Sequence, residues 1–135
     1  MAEISTALRN AKASAVDIFN SGVLELRSGS PPGANAADAG TLLASITLPA
    51  DAFTGPSVGV LTKAGTWEDA SADAGGTIGH FRFKQSGDTG GATGSSDERI
   101  EGTVGTSGAD LNLDSVAVTA GQGIIIDTFT LTVPA

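Results

Sequence analysis

The chain of 135 residues contains no cysteine and no tyrosine, and it has a single histidine and a single tryptophan. Without cysteine there is neither a disulfide nor a thiolate site, and one histidine excludes zinc sites that use two or three. No apolar run approaches the ~18 residues that would span a bilayer. The first residues include an acid and form no continuous apolar run, so we predict no signal peptide and a protein made in the cytoplasm.

Basic residues are also scarce, since seven lysines and arginines face fifteen aspartates and glutamates, which gives a net charge of −8. Such a charge repels phosphate backbones, and the chain has no basic amphipathic stretch for a membrane surface. We therefore predict neither a nucleic-acid partner nor a membrane partner. Only 16% of the residues are charged, so small and polar residues fill the surface, which suits extended contacts with other proteins.

Residues 1–21 are predicted to form an N-terminal helix. Apolar side chains recur there at steps of three and four residues, which is the period of one helix face. These residues are Ile4, Leu8, Ala11, Ala15 and Ile18. Ser5 or Thr6 can cap the start, and Asn-Ser-Gly at 20–22 is a suitable stop. Because the stripe is thin and rich in alanine, we expect it to bury a modest area on the domain or on a neighbouring subunit.

Residues 22–135 change to a period of two, which is the period of a β-strand. In the segment 76–85 the two phenylalanines share one face, and His80, Arg82 and Lys84 share the polar face opposite. The other predicted strands are 23–29, 41–49, 58–67, 99–105 and 124–134. Short strands separated by glycine, proline, serine and aspartate predict a mainly β fold. We predict an antiparallel β-sandwich, jelly-roll-like, preceded by one α-helix in a single domain.

Three segments between these strands are predicted loops. Pro-Pro-Gly breaks the segment 30–40, and the segment 51–57 is a second loop from which Phe53 fills the core. The glycine-rich segment 86–97 is predicted to be a flexible connection, since it lacks the lysine and the helix of a phosphate-binding loop. In the closing strand one face is predicted to carry the residues Ile125, Phe129, Leu131 and Val133.

Asp110, Asn112 and Asp114 stand at alternate positions, as in the opening of a calcium loop. An EF-hand loop also needs glycine at its sixth position and a bidentate glutamate at its twelfth. Those positions hold Ser115 and Gly121, so the pattern fails. The two leucines between the polar residues favour a strand whose polar face meets water. We predict no metal site and no cofactor.

The segment around Ser57, G-P-S-V-G, matches the nucleophile elbow of hydrolases, with His80 as a possible base. That motif needs a strand before it and a helix after it, whereas a proline-containing loop precedes this one and a strand-like segment follows. His80 lies beside Arg82 with no acid next to it, so we interpret it as a surface or interface residue. The acidic pairs 68–69 and 97–98 lack the aromatic cleft of a glycosidase. We predict no catalytic residues and no enzyme activity.

The side chains most suited to function are therefore those that can anchor a protein–protein contact. Leu8, Ala15 and Ile18 belong to the helix stripe, and His80 lies on a polar strand face. Trp67 either fills the core or anchors an interface, since tryptophan is enriched at binding hot spots. We predict that a protein–protein interface draws on these five residues.

Three stretches of the chain resemble a known group of proteins. They are GTLLASITLP at 40–49, GTSGADLNLDS at 105–115 and TAGQGIIIDTFTLTVPA at 119–135. With the short N-terminal helix before them, these stretches make the chain similar to small virion-associated β-sandwich proteins of tailed bacteriophages. The motifs specify a fold and carry no functional residue over to this chain.

The resemblance implies a virion structural protein made in the host cytoplasm. The first expectation is a capsid decoration or cement protein on the outer head surface, bound to the major capsid protein or other virion subunits. Such proteins form homo-oligomers, with a trimer favoured. A neck, tail or fibre accessory protein is the alternative, and a carbohydrate-binding or receptor-adhesion module is a further one.

Overall fold

The computed structural model describes residues 3–92 and 97–132. Residues 93–96 of the predicted glycine-rich loop and Val133 of the closing strand lie outside the described residues. Eleven strands occur within the described part. They are β1 Val23–Ser28, β2 Leu42–Thr47, β3 Phe53–Ser57, β4 Val60–Lys63, β5 Trp67–Asp69, β6 Gly76–Lys84, β7 Arg99–Gly105, β8 Leu111–Asn112, β9 Ala117–Val118, β10 Ile124–Ile126 and β11 Thr130–Thr132.

The described strands form three sheets. The largest has the order β2-β1-β6-β7-β8, and β9 pairs with β6 outside this path. The other two sheets have the orders β11-β4-β3 and β10-β5. Neighbouring strands are antiparallel, except that β8 runs parallel to β7. The fold is therefore mainly β and sandwich-like, with antiparallel sheets and a short N-terminal helix, as the sequence predicts.

The helical segment begins with the α-helix α1, Thr6–Ala13, and continues as a 3₁₀ helix, Ser14–Phe19. The Ser5 hydroxyl accepts a hydrogen bond from the backbone N–H of Leu8 at 3.1 Å, which caps the first turn. Ser5 is thus one of the two predicted caps, and the helical segment ends at Phe19, directly before Asn-Ser-Gly, so it is shorter than the predicted 1–21. Its conformation changes in the middle, which the apolar pattern alone did not indicate.

This change of conformation decides which edge of the helical segment is buried. Ala13, Val16 and Phe19 are 0%, 6% and 3% exposed. They are spaced by three residues, and a 3₁₀ helix repeats every three residues, so all three side chains lie along one edge. The predicted stripe is on another edge, where Leu8 is 49% and Ile18 is 39% exposed. Within this chain the segment is thus held by three residues that the predicted stripe did not contain.

The core is organised around Phe83 in β6. Its ring centroid lies 5.3 Å from that of Phe129 and 5.9 Å from that of Phe53, and the three other aromatic rings lie between these distances. The chain has five phenylalanines and one tryptophan, so all of its aromatic residues belong to this cluster. Because the rings come from the 3₁₀ helix and from different sheets, the cluster joins these elements.

Two predictions about strands are wrong. The predicted loop 51–57 contains the strand β3, which pairs with β4 across the two-residue turn Val58–Gly59. Both turn residues have positive φ, 49° and 74°, which matches the right-handed twist of a hairpin. Phe53 nevertheless packs on the core from this segment, as predicted, with its ring 5.4 Å from that of Trp67.

In the closing segment the predicted face is shifted by one residue. Ile125 is 57% exposed, whereas Ile124 and Ile126 are 8% and 0% exposed. The strand β10 ends at Ile126 and β11 begins at Thr130, so the alternation does not run continuously through the segment. Phe129 is buried at 6% exposure, as predicted. A break between two short strands therefore changed the phase.

Candidate functional site

The polar face of the largest sheet is buried beneath residues 29–41, which we call the covering segment. His80, Arg82 and Lys84 are 1%, 0% and 5% exposed. The interpretation of His80 as a surface or interface residue is therefore wrong. A Cβ atom on Gly79 would lie 2.2 Å from the carbonyl oxygen of Gly29, so only glycine permits this close approach of the segment to β6.

Arg82 is the residue that binds the segment most extensively. Its Nη1 donates to the carbonyl of Ala36 at 2.9 Å and to Oδ1 of Asp38 at 2.9 Å. Its Nη2 donates to the carbonyl of Gly33 at 2.9 Å and to Oε2 of Glu101 at 2.9 Å. Glu101 lies opposite Arg82 in the register of β6 and β7 and also accepts from the Gly33 N–H. One guanidinium therefore joins two strands to the covering segment.

Asp38 is the point at which three cations meet. Its Oδ2 lies 2.7 Å from Nζ of Lys84 and 3.1 Å from Nη2 of Arg27, and its Oδ1 lies 2.9 Å from Arg82. Glu25 pairs with two of these cations, at 3.0 Å from both Arg27 and Lys84. The three positive charges of β1 and β6 are thus paired with three carboxylates, Glu25 of β1, Asp38 of the covering segment and Glu101 of β7.

A second arginine connects the covering segment with the loop after β6. Nε of Arg99 lies 2.7 Å from Oδ2 of Asp88, and its Nη2 lies 2.8 Å from Oδ1, so the pair is bidentate. Its Nη1 donates to the carbonyl of Ala36 at 3.0 Å. The N–H of Asp38 donates to the carbonyl of Gly90 at 2.8 Å. Side chains and backbone together hold the two loops to each other.

The charges of this cluster shift the pKa of three of its members. Burial raises the pKa of Asp38, but the Lys84 hydrogen bond and the charges of Arg27, Lys84 and Arg82 outweigh it and lower the pKa overall. For Asp88 the Arg99 hydrogen bond is the largest cause, and it lowers the pKa against the effect of burial. The same bond raises the pKa of Arg99. Both carboxylates therefore stay ionised at neutral pH.

We call this set the ion cluster, and it consists of Glu25, Arg27, Asp38, Arg82, Lys84, Asp88, Arg99 and Glu101. Each of its four cations lies within hydrogen-bonding distance of a carboxylate. Charges that are satisfied in this way hold loops on a sheet and are not free to bind a substrate. In the sequence, the only indication of this cluster was that Glu25 and Glu101 could lie opposite Arg82 on neighbouring strands. Recognising it requires the strand register, which the sequence alone does not give.

The proposed elbow and its base are not brought together. Ser57 is exposed at the β3–β4 turn, where a strand follows it instead of a helix. Nδ1 of His80 lies 3.0 Å from the carbonyl oxygen of Gly29, and its buried Nε2 has no hydrogen-bond partner among the residues that the structure describes. His80 is thus packed beneath the covering segment rather than poised beside a nucleophile.

Asp110, Asn112 and Asp114 do not converge. Oδ2 of Asp110 accepts from the N–H of Thr103 at 3.0 Å, and Oδ1 of Asn112 accepts from the N–H of Ala109 at 3.0 Å. These bonds tie down the turn that leads into β8. Across residues 3–92 and 97–132, no group of three histidine, aspartate or glutamate side chains could hold a metal ion.

The five predicted interface residues separate into two groups. Leu8, Ala15 and Ile18 are exposed and lie on the edge of the helical segment that faces away from the core. Trp67 is 0% exposed and its Nε1 donates to the carbonyl of Ala64 at 3.1 Å, so it fills the core. Trp67 and His80 are therefore removed from the predicted surface, and the helix stripe remains.

An open groove of about 340 Å³ lies between the segment around β9 and the segment around β10. Ile78, Val118 and Ile124 contribute to its apolar lining. The side chains of Asp114 and Asp127 also line it, and neither makes a hydrogen bond or an ion pair with any part of the chain that the structure describes. The groove thus combines an apolar lining with two unpaired carboxylates.

The fold and these sites define a β-sandwich-like protein with an internal ion cluster and an exposed helix stripe. Comparisons with protein-family models, with curated proteins and with solved structures gave no match to this chain. No helix among the described residues is both long enough and apolar enough to cross a membrane.

Proposed function

We propose that this chain is a structural subunit of a bacteriophage virion, a decoration or cement protein that binds the outer surface of the head and stabilises the shell. The observation that carries the proposal is the exposed apolar stripe of the helical segment. Leu8 and Ile18 remain 49% and 39% exposed, although the opposite edge of the segment is fixed in the core. A rigidly held helix with an uncovered apolar edge is suited to binding another protein.

The distribution of polar chemistry supports a structural role. The one histidine is buried, and four of the seven basic residues are paired inside the ion cluster. Polar groups that are committed to internal pairs stabilise one conformation of the covering segment. The partners we propose are the major capsid protein or other virion subunits, together with further copies of this chain in a homo-oligomer, with a trimer favoured.

The geometry gives less support to a carbohydrate-binding or adhesion module. Such a module needs aromatic rings on its surface for sugars to stack on. Here Trp67 is fully buried, and the five phenylalanines all contact one another or Trp67 in the core cluster. A neck, tail or fibre accessory protein differs from the proposed function in location and copy number, which one experiment separates.

The test is incorporation of the chain into particles of the phage that encodes it. A tagged copy is supplied in trans, the particles are purified, and the number of copies per particle is measured by gel densitometry. We expect hundreds of copies for a head protein, on the order of the number of capsid subunits, and few for a neck or tail protein. Absence of the chain from purified particles would refute a virion role.

Substitutions in the stripe connect this result with the proposed surface. Leu8→Asp and Ile18→Asp should reduce incorporation at least tenfold, because a charge in an apolar contact must be desolvated. The matched control is Thr106→Asp, which adds the same charge at an exposed residue of the β7–β8 turn. Point substitutions are preferred to truncation, because deleting the segment would also remove Phe19 from the core. Normal incorporation of both stripe variants would exclude this surface.

A further inference from the structure

Most of the basic residues that lie outside the ion cluster are on α1. After Arg27, Arg82, Lys84 and Arg99 are assigned to the cluster, only Arg9, Lys12 and Lys63 remain. Arg9 and Lys12 are on α1, whereas Lys63 is the last residue of β4, where its Nζ donates to the carbonyl of Gly65 at 2.6 Å. The remaining charged side chains outside the cluster are all carboxylates. The helix α1 itself therefore carries only positive charges, while Glu3 lies before it and Asp17 lies in the 3₁₀ helix that follows.

Exposed hydrophobic side chains follow a similar division. Among the described residues, the large hydrophobics that remain exposed are Leu8, Ile18, Val58 and Ile125. Val58 is next to Gly59, whose N–H donates to Oδ1 of Asn10 on α1 at 2.7 Å. Val58 therefore lies beside α1. Ile125 instead lines the groove, beside Asp127. The molecule thus has two uncovered apolar sites, one on the helical segment beside Lys12 and one at the groove beside Asp114 and Asp127.

We propose that the helix stripe of one copy docks into the groove of the next copy, in a head-to-tail contact. Lys12 is exposed and stands four residues after Leu8, so both side chains project from the same face of α1. Leu8 packs on Ile125 and the apolar lining, and the Lys12 ammonium pairs with the carboxylates of Asp114 and Asp127. The groove accepts side chains, not a whole helix, and its two carboxylates obtain the partner that they lack among the described residues of one copy.

This inference rests on the proposed function, because it specifies the contact between copies in the homo-oligomer. Two different surfaces meet, so every copy in a closed assembly uses both its stripe and its groove. Such a contact gives a ring if the rotation between copies closes, and a three-membered ring gives the favoured trimer.

The test uses the full-length chain and measures molecular mass in solution by light scattering after gel filtration. Leu8→Asp disables the stripe and Ile125→Asp disables the groove. We expect the unsubstituted chain to form an oligomer and each variant to be monomeric, with association weakened by roughly tenfold or more, as at interface hot spots. Thr106→Asp is the control for an added surface charge and should assemble normally.

Mixing the two variants distinguishes this geometry from other assemblies. The Leu8→Asp chain keeps an intact groove and the Ile125→Asp chain keeps an intact stripe, so an equimolar mixture should form one-to-one dimers that cannot grow further. An isologous helix-to-helix contact would instead leave Ile125→Asp fully assembled. That result would overturn the inference, as would a monomeric unsubstituted chain or a mixture that stays monomeric.

Charge reversal tests the electrostatic part of the contact. Lys12→Glu should weaken the assembly, and the combination with Asp127→Lys should restore it. Restoration fails if these residues do not face each other. Because all of these measurements use purified protein, they are independent of the virion assay. A chain that assembles in this way but is absent from particles would refute only the proposed function, and a monomer found in particles would refute only this contact.

Discussion

At the scale of single residues, Arg82 shows why a buried cation is retained in this core. Its guanidinium has five N–H donors in a fixed plane, and they serve the carbonyls of Gly33 and Ala36 and the carboxylates of Asp38 and Glu101. Lysine has a compact ammonium that could not reach all four acceptors at once. The cost of removing this charge from water is offset by the complete pairing of its donors.

We predict that Arg82→Met lowers the free energy of unfolding by about 3–5 kcal/mol, since it leaves buried carboxylates without their partner. The measurement is urea unfolding at pH 7. Glu98→Met also removes one unit of charge, at an exposed position, and should change the free energy of unfolding by less than about 0.5 kcal/mol. Equal effects of the two substitutions would show that the cluster contributes no more than a surface charge.

At the scale of elements, the covering segment 29–41 is held by charge more than by apolar packing. Its attachment depends on carboxylates whose pKa is lowered in the folded chain, namely Asp38 and, in the neighbouring loop, Asp88. The unfolded chain binds protons at these groups at a higher pH than the folded chain does. Their contribution to stability is therefore complete above about pH 5 and decreases as the pH falls below about 4.

We predict that acid destabilises the chain through these two groups. The free energy of unfolding of the unsubstituted chain should fall between pH 5 and pH 3, and hydrogen exchange of segment 29–41 should accelerate over the same range. In the double variant Asp38→Asn and Asp88→Asn the decrease should be smaller, because the linked protonations are absent. Asp51→Asn, at an exposed position, is the control. An unchanged pH dependence in the double variant would contradict this explanation.

The same elements show what can be predicted from the sequence. The alternation around Phe81 and Phe83 identifies β6 and its core face, because burial of one face imposes a period of two. The fate of the opposite face depends on where the segment 29–41 folds, which alternation does not encode. Of the predicted interface, Leu8, Ala15 and Ile18 remain on the surface. Trp67 and His80 do not, because the core and the covering segment bury them.

At the scale of the whole molecule, one aromatic cluster connects the helix and the sheets. Phe83 of the largest sheet contacts Phe19 of the 3₁₀ helix, Phe53 of β3 and Trp67 of β5. Phe129, which precedes β11, contacts both Phe83 and Trp67. Because each sheet supplies rings to the same cluster, loss of one set of contacts removes the packing of the others. The arrangement favours unfolding as one cooperative unit.

We therefore predict that Trp67 fluorescence and far-ultraviolet circular dichroism follow one urea transition with the same midpoint. Phe129→Ala should lower the free energy of unfolding by about 3–5 kcal/mol through the cavity it leaves, and it should move both transitions together. Thr128→Ala, at the preceding exposed position, is the matched control. If Phe129→Ala moved the fluorescence transition alone, the sheet around Trp67 would unfold separately, and the chain would not behave as the single domain that its length predicts.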